Sequence, residues 1–435
     1  MNSSTYRGFW WLPEFPCDVV PGQLLIDERG HCQLQLIGTF NLRAAAKLEN
    51  IDQPQARAIQ EERFRVVFGR TDKQAITLLN CFSGLRTRSQ LDIEVQEALV
   101  GAHVNHEETA FQSAYLEIEN LTSWLTCDPI EVAWDEAADS ATISHPVAQS
   151  CTVTREGVDW TITARGQSQP FQAKHTRESI VVSSQLVYYL ELTPAEPCTV
   201  GAFHKIAQDL MNLITLAAGR ASGQIKLTLI HRSPMKLRST DGSTTTIDRR
   251  VEYHGARIHA ADGDAAAPAG WEFLFHCSDA PFESVVTNWL VLQEKIREAC
   301  NVYFGLKYAR PTFVEARLQL IATVAESLGR ELQSRGTRKI NAQRSYRLCL
   351  EDLANRVDTT VRQVLIPDVN DWVERMKTAR NELAHSGNNQ SKQDVFDLEL
   401  ITTTLISLVL MAEIGLPTEV QLRAVNGPLR LPWAQ

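Results

Sequence analysis

The chain has 435 residues, enough for two or three domains around a large core. Its hydrophobic content of 44% and charged content of 22% are ordinary for a soluble globular protein. With 43 basic against 52 acidic residues the net charge is −9, which excludes broad, charge-driven coating of nucleic acid and leaves room for a local basic patch only.

The opening, MNSSTYRGFWWLPEFP, has no uninterrupted apolar run of signal-peptide length. Its aromatic cluster Phe9, Trp10 and Trp11 reads as an anchor of a sheet core, the alternative being a ligand-binding platform. From there to about Cys277 the apolar pattern mostly has period two. His31 to Ile37, Arg63 to Phe68, Ala114 to Glu119, Val158 to Thr163 and Ser179 to Leu190 read as strands. Short strands with turn residues between them predict a sandwich or a barrel. One segment breaks the pattern: Phe203 to Ala218 places Phe203, Ile206, Leu210, Leu213 and Leu216 at helical spacing, and Gly219 follows as a stop. Ser239 to Gly270, with Asp241-Gly242, Asp262-Gly263 and an alanine run ending in Pro268, reads as an irregular loop.

From Pro281 onward the period is helical. Phe282 to Tyr303, Thr312 to Gln333, Asn341 to Val357, Asp371 to His385 and Asp394 to Ile414 are predicted helices, separated by Pro311, Gly336, Pro367 and Gly387-Asn388-Asn389, with Pro417 ending the last. Four or five antiparallel helices make a bundle. The expected fold is therefore α+β and multidomain: a β-rich N-terminal domain over 1–280, with one helix near 203–218, and an all-α helical bundle over 281–435. Leu400 to Ile414 is the most apolar late stretch, but it is interrupted by threonines and too short to span a bilayer, so it reads as a buried helix. No membrane association is expected.

The nine cysteines (Cys17, Cys32, Cys81, Cys127, Cys151, Cys198, Cys277, Cys300 and Cys349) are scattered and form no C-x-x-C. A disulfide framework or structural zinc site is not expected; each reads as a small buried hydrophobe in a cytoplasmic protein. His103 and His106, and the isolated His175, His204 and His276, lack metal-ligand partners at telling spacing, so neither metal nor cofactor is expected.

The chemistry-bearing motif is Arg380-Asn381-Glu382-Leu383-Ala384-His385. It puts a fixed cation, an amide and a titratable imidazole within two turns of one helix, groups suited to cleaving an RNA phosphodiester without metal. Trp372, Met376, Ala379 and Leu383 form one apolar stripe, predicted to face the bundle core. Asn381 and His385 share the opposite, polar face with Glu374 and Thr378, and Arg380 lies between the two faces. His385 stands at the helix C-terminus, where the dipole favours the protonated imidazole by about 0.3–1 kcal/mol. Arg-to-His spacing alone is weak evidence: Arg249 and His254 repeat it in a strand-like context without the asparagine.

Arg380-Asn381-x-x-x-His385 at a helix end resembles the R-N-x-x-x-H motif of HEPN ribonucleases, and Trp372-Val373-Glu374-Arg375-Met376-Lys377 looks like the lead-in of the ApeA-like HEPN group. Independently, Gly8-Phe9-Trp10-Trp11-Leu12-Pro13, Val20-Pro21-Gly22-Gln23-Leu24 and Leu34-Gln35-Leu36-Ile37-Gly38 resemble the opening of the ApeA N-terminal domain. The resemblance implies an anti-phage abortive-infection protein and metal-independent RNA cleavage. It also implies a homodimer through the HEPN domain, with two copies of Arg380, Asn381 and His385 in one groove. On that reading His385 transfers protons, Arg380 binds the phosphate, and Asn381 orients His385 or a phosphate oxygen. Arg335, Arg338, Lys339, Arg344 and Arg347, beside Arg330, form a basic run expected to contact the RNA backbone, and Glu326 is a weaker candidate for an auxiliary acid. The N-terminal domain is expected to restrain the nuclease until it meets a phage-derived trigger. Two other readings stand beside this one: a non-catalytic HEPN interaction or RNA-binding protein, and a ribonuclease toxin held by a separate antitoxin.

Overall fold

The computed structural model describes residues 3–40, 63–86, 90–126, 132–135, 140–143, 148–168, 172–183, 185–238, 243–255, 268–309, 311, 313–332, 345–385 and 391–432. The strands are β1 (Ser4–Trp11), β2 (Val20–Ile26), β3 (Cys32–Ile37), β4 (Arg63–Arg70), β5 (Ala75–Arg86), β6 (Gln90–Val100), β7 (Phe111–Ile118), β8 (Val132–Asp135), β9 (Ser140–Ile143), β10 (Gln149–Arg155), β11 (Val158–Ser168), β12 (Gln172–His175), β13 (Ile180–Ser183), β14 (Leu186–Pro194), β15 (Gln224–Arg238) and β16 (Thr244–Gly255). The helices are α1 (Leu121–Leu125), α2 (Val200–Ala217), α3 (Phe282–Lys295), α4 (Arg297–Ala309), α5 (Val314–Glu331), α6 (Tyr346–Arg356), α7 (Thr359–Leu365), α8 (Val369–His385), α9 (Lys392–Glu413) and α10 (Thr418–Asn426). The chain divides into two compact units: Met1–Glu117 with Glu191–Ile206 and Gln224–Ile258, and Ile118–Leu190 with Ala207–Gly223 and His259–Gln435.

In the first unit β1 to β6 close into a six-stranded antiparallel barrel, in the order β6-β3-β2-β1-β4-β5 and back to β6. Closure depends on the length of β6. Its first half pairs with β3, nearly its whole length pairs with β5, and its last residues, Glu97 to Val100, pair with β16. Alternation sends Trp10, Leu24, Leu34, Leu36, Val67, Leu78 and Ile93 into the barrel, each worth about 1.5–3 kcal/mol when fully buried. Trp10 fills its level of the interior, and its cross-strand partner has to be Gly69, because a Cβ there would collide with the indole ring.

In the second unit β10 and β11 form a hairpin registered from Gln149↔Ala164 to Arg155↔Val158. Glu156 and Gly157 turn it with φ of 49° and 79°, the left-handed pair a type I′ turn requires. Arg155, at the hairpin's end, is buried against Asp209 of α2 at 2.5 Å and reaches Glu294 of α3 at 3.1 Å. The helices α3 to α10 make the bundle, with α9 packed on α5, α6, α7, α8 and α10. By length and composition α9 could cross a membrane, yet 61% of its apolar window is buried in the bundle. Two of its buried polar residues, Ser407 and Thr402, are hydrogen-bonded. Ser407 shares a 2.7 Å hydrogen bond with the Tyr303 hydroxyl, and Thr402 accepts from Trp372 Nε1 at 3.4 Å and donates to Met376 Sδ at 3.3 Å.

The architecture is thus a β-rich N-terminal region containing a six-stranded barrel, followed by an all-helical C-terminal region. Several sequence expectations need correction. Within the segment read as a loop, Thr244–Gly255 is β16, paired antiparallel with β15. Ser179 to Leu190 is two strands, β13 and the start of β14. Phe282 to Tyr303 is broken at Ile296, whose φ and ψ of −119° and 32° leave the helical region, giving α3 and α4. The bundle has eight described helices rather than four or five; α9 ends before Pro417 as read, but Pro417 also stands at the N-terminal cap position of a further helix, α10. Cys17 is exposed, the other described cysteines are buried, and Cys127 lies outside the described residues. Of the aromatic cluster, Trp10 is core, Trp11 is half-buried and Phe9 is exposed.

Candidate active site

The apolar stripe of α8 enters the core as its spacing requires: Trp372, Val373, Met376 and Ala379 are buried, and Leu383 is half-buried. Glu374, Thr378 and Asn381 are exposed on the other side. The Trp372 and Met376 contacts with Thr402 fix the helix on α9. Ser391 caps α9, accepting from Asp394 N–H.

Arg380, between the two faces, lies in a cradle made by α5 and α6. Its Nη2 stands 2.6 Å from Glu326 Oε2, and its Cζ lies 4.4 Å from the centroid of the Tyr346 ring. Glu326 also accepts from Arg330 one turn along α5. The cradle exists because α5 and α6 cross closely at Gly329: a Cβ there would stand 2.6 Å from Cys349 Cβ and 2.7 Å from its Cα. Glycine thus brings the first turn of α6, with Tyr346, alongside Glu326. Ser345 caps that turn by accepting from Leu348 N–H. The Tyr346 hydroxyl is buried and has no hydrogen-bond partner among the described residues. Burial pushes its phenol well above the ordinary tyrosine range; the Arg380 charge opposes this, while Glu326 and Cys349 add to it. Tyr346 is therefore a neutral ring beneath a cation, not a base.

Asn381 is exposed on α8, and His385 is the helix's last residue, one turn further on. The His385 side chain lies outside the described residues, as do Arg335, Arg338, Lys339 and Arg344. Arg347 is described. It forks onto Glu351 Oε1 at 2.7 Å and Asn370 Oδ1 at 3.4 Å and also pairs with Glu374, so it ties α6 to α8 with its charge already matched. Among the described residues no group of three or more His, Cys, Asp and Glu could hold a metal ion. Sequence reasoning reached Glu326 only as a weak candidate and missed Tyr346. The periodicity of each helix marks its own buried face but not which residues of two helices meet.

The family comparison covers both regions of the chain. Residues 5–289 match ApeA N-terminal domain 1, and residues 308–420 match the Apea-like HEPN domain. The chain belongs to the ApeA family. Its helical region from α5 to the start of α10 is the HEPN part, a domain that is commonly a ribonuclease. Comparison with curated proteins and with solved structures found no match.

Proposed function

We propose that this ApeA-family chain is an anti-phage, abortive-infection endoribonuclease whose HEPN domain cleaves RNA without a metal. The ribose 2′-OH attacks the adjacent phosphorus, the 5′-oxygen leaves, and a 2′,3′-cyclic phosphate results; DNA lacks the attacking hydroxyl and is spared. Arg380 takes the phosphate and stabilises charge growing on its oxygens, His385 moves the proton, and Asn381 orients the imidazole or a phosphate oxygen. Two chains, related by a two-fold, supply one groove with two sets of these residues. The protein acts in the cytoplasm, and its N-terminal region restrains the nuclease until a phage-derived trigger arrives.

The observation that carries this reading is the Arg380 cradle. A guanidinium held by a carboxylate on one side and a ring on the other, and still 36% exposed, is preorganised beside an exposed Asn381 with His385 one turn away. The same ion pair is the one observation that favours a non-catalytic HEPN interaction domain, since Glu326 offsets the charge a phosphate would meet. Incubating purified protein with cellular RNA in chelator separates the two. The enzyme gives fragments with cyclic phosphate ends, and Arg380→Ala and His385→Ala give none. Cleavage that survives both changes in folded protein, or no cleavage by the wild type from phage-infected cells, refutes the enzyme.

A further inference from the structure

The outer face of the barrel carries a second feature that the nuclease reading does not use. A groove of about 1270 Å³ lies there, lined mainly by outward residues of β1, β2 and β3 and by the β4–β5 turn. Register resolves it into two parallel rows. Ile37 pairs with Gln90 and follows Leu36, the partner of Gly22; Pro21 pairs with Phe9, and Phe9 with Arg70. This row runs Gln90, Ile37, Pro21, Phe9, Arg70 across five strands. The next row runs Asp92, Gln35, Gln23, Arg7. In it Gln23 Nε2 donates to Gln35 Oε1 at 2.9 Å, so two amides form a fixed polar rail.

The first row is apolar and open: Phe9 is 58% exposed, Ile37 72%, and Val19 beside them 46%. Such residues clustered on one face, rather than scattered, mark an interaction site. Arg7 and Arg70 are exposed at the Phe9 end, and neither has an ion pair or side-chain hydrogen bond among the described residues. Asp72 is the one carboxylate among the groove's lining residues.

We propose that this face binds a protein segment that lays an apolar ridge along Phe9, Pro21 and Ile37 and sets acidic side chains against Arg7 and Arg70. The barrel is closed, so β1, β2 and β3 have no free edge and recognition runs through side chains, not strand addition. The composition favours a peptide over RNA. Four of the six apolar side chains in the lining, Val19, Pro21, Leu36 and Ile37, are aliphatic and offer no stacking face, and of the two rings Trp11 is half-buried against Phe68 and His103; two arginines against one aspartate make a short anchor, not a phosphate track. The volume exceeds the range of about 300–1,000 Å³ usual for a small molecule. Nothing in this inference depends on ribonuclease activity.

The test pans a displayed random-peptide library against the full-length His385→Ala protein, then measures the enriched peptides by fluorescence anisotropy. The expected consensus has apolar residues flanked by Asp or Glu. Phe9→Asp, Ile37→Asp and Arg70→Glu each weaken binding on the order of tenfold or more, without lowering the melting temperature. Panning against the Arg7→Glu, Arg70→Glu double variant turns the consensus basic. The inference is overturned if no enriched peptide depends on these positions or if the consensus ignores the charge reversal. It is equally overturned if the same variants abolish binding of a labelled single-stranded oligoribonucleotide or dissociate a self-association of the wild type. Cleavage assays on the same variants keep this outcome distinct from that of the nuclease proposal.

Discussion

Tyr346 offers the sharpest test of the cradle. Its ring lies 4.4 Å from the Arg380 guanidinium carbon, and its hydroxyl is buried with no partner among the described residues. The two parts of the side chain therefore make opposite predictions. Tyr346→Phe keeps the ring and removes an unsatisfied polar group, so it should leave cleavage unchanged and hold or raise stability by up to about 1 kcal/mol. Tyr346→Leu removes the π face. A partly desolvated cation–π contact is worth about 1–2 kcal/mol, so if the guanidinium pose is needed in the transition state, kcat/KM falls about 5–30-fold. The assay is cleavage of a labelled RNA in chelator at substrate well below KM, with thermal melting in parallel. Equal damage from Phe and Leu, or full activity in the leucine variant while Arg380→Ala is dead, refutes the positioning argument.

Other consequences follow from burial. Arg155→Met strands Asp209, 4% exposed, without its 2.5 Å partner; the cost is near the lower end of about 3–5 kcal/mol because Arg297 stands 4.0 Å away, and Asp209→Leu added to it should restore much of the urea midpoint. Gly69→Ala drives a methyl into the Trp10 ring and should lower stability by about 1–3 kcal/mol, visible as altered tryptophan fluorescence and an earlier transition. Burial depresses the His231 pKa, with Arg249 acting in the same direction and a Ser233 backbone contact opposing. A depressed folded value means the stabilisation is present above the unfolded pKa of about 6.5 and lost as pH falls through the folded value; melting should drop between neutral and mildly acidic pH, less so in His231→Gln.

What the sequence made legible follows the physics of each signal. Strands with one face in a core, such as β3 and β11, alternate visibly. β16 does not: from Thr244 to Asp248 both faces are exposed, so no alternation marked it, and Asp241-Gly242 was the one turn signal for a hairpin. Barrel closure was not readable either, because it rests on β6 pairing along both edges and not on any local pattern. The break at Ile296 was hidden because the apolar period runs on through it: Ile296 and Cys300 are both buried. In the helical region the two faces of α8 were legible from spacing. Its neighbours were not, since the contact of Glu326 and Tyr346 with Arg380 depends on two helices crossing at Gly329.

The cations around α8 bear on how RNA would be held. Arg347 is matched by Glu351 and Glu374, Arg375 by Asp371 at 3.6 Å and Asp394 at 3.9 Å, Lys377 by Glu374 at 3.5 Å, and Arg330 and Arg380 by Glu326. The exposed pairs are worth only about 0–1 kcal/mol each, whereas Glu326, 13% exposed, holds Arg380 and Arg330 more firmly, so the rim as a whole adds little net positive field. On the proposed reading, salt-dependent affinity comes largely from Arg335, Arg338, Lys339 and Arg344. At about −0.7 for each phosphate neutralised on single-stranded RNA, four cations and Arg380 together give a slope of log affinity against log salt of roughly −3.5. Replacing all four with serine in the His385→Ala protein should flatten the slope to about −1, leaving the Arg380 contact. A slope that the four changes leave untouched would show that the paired rim, not the basic run, meets the backbone.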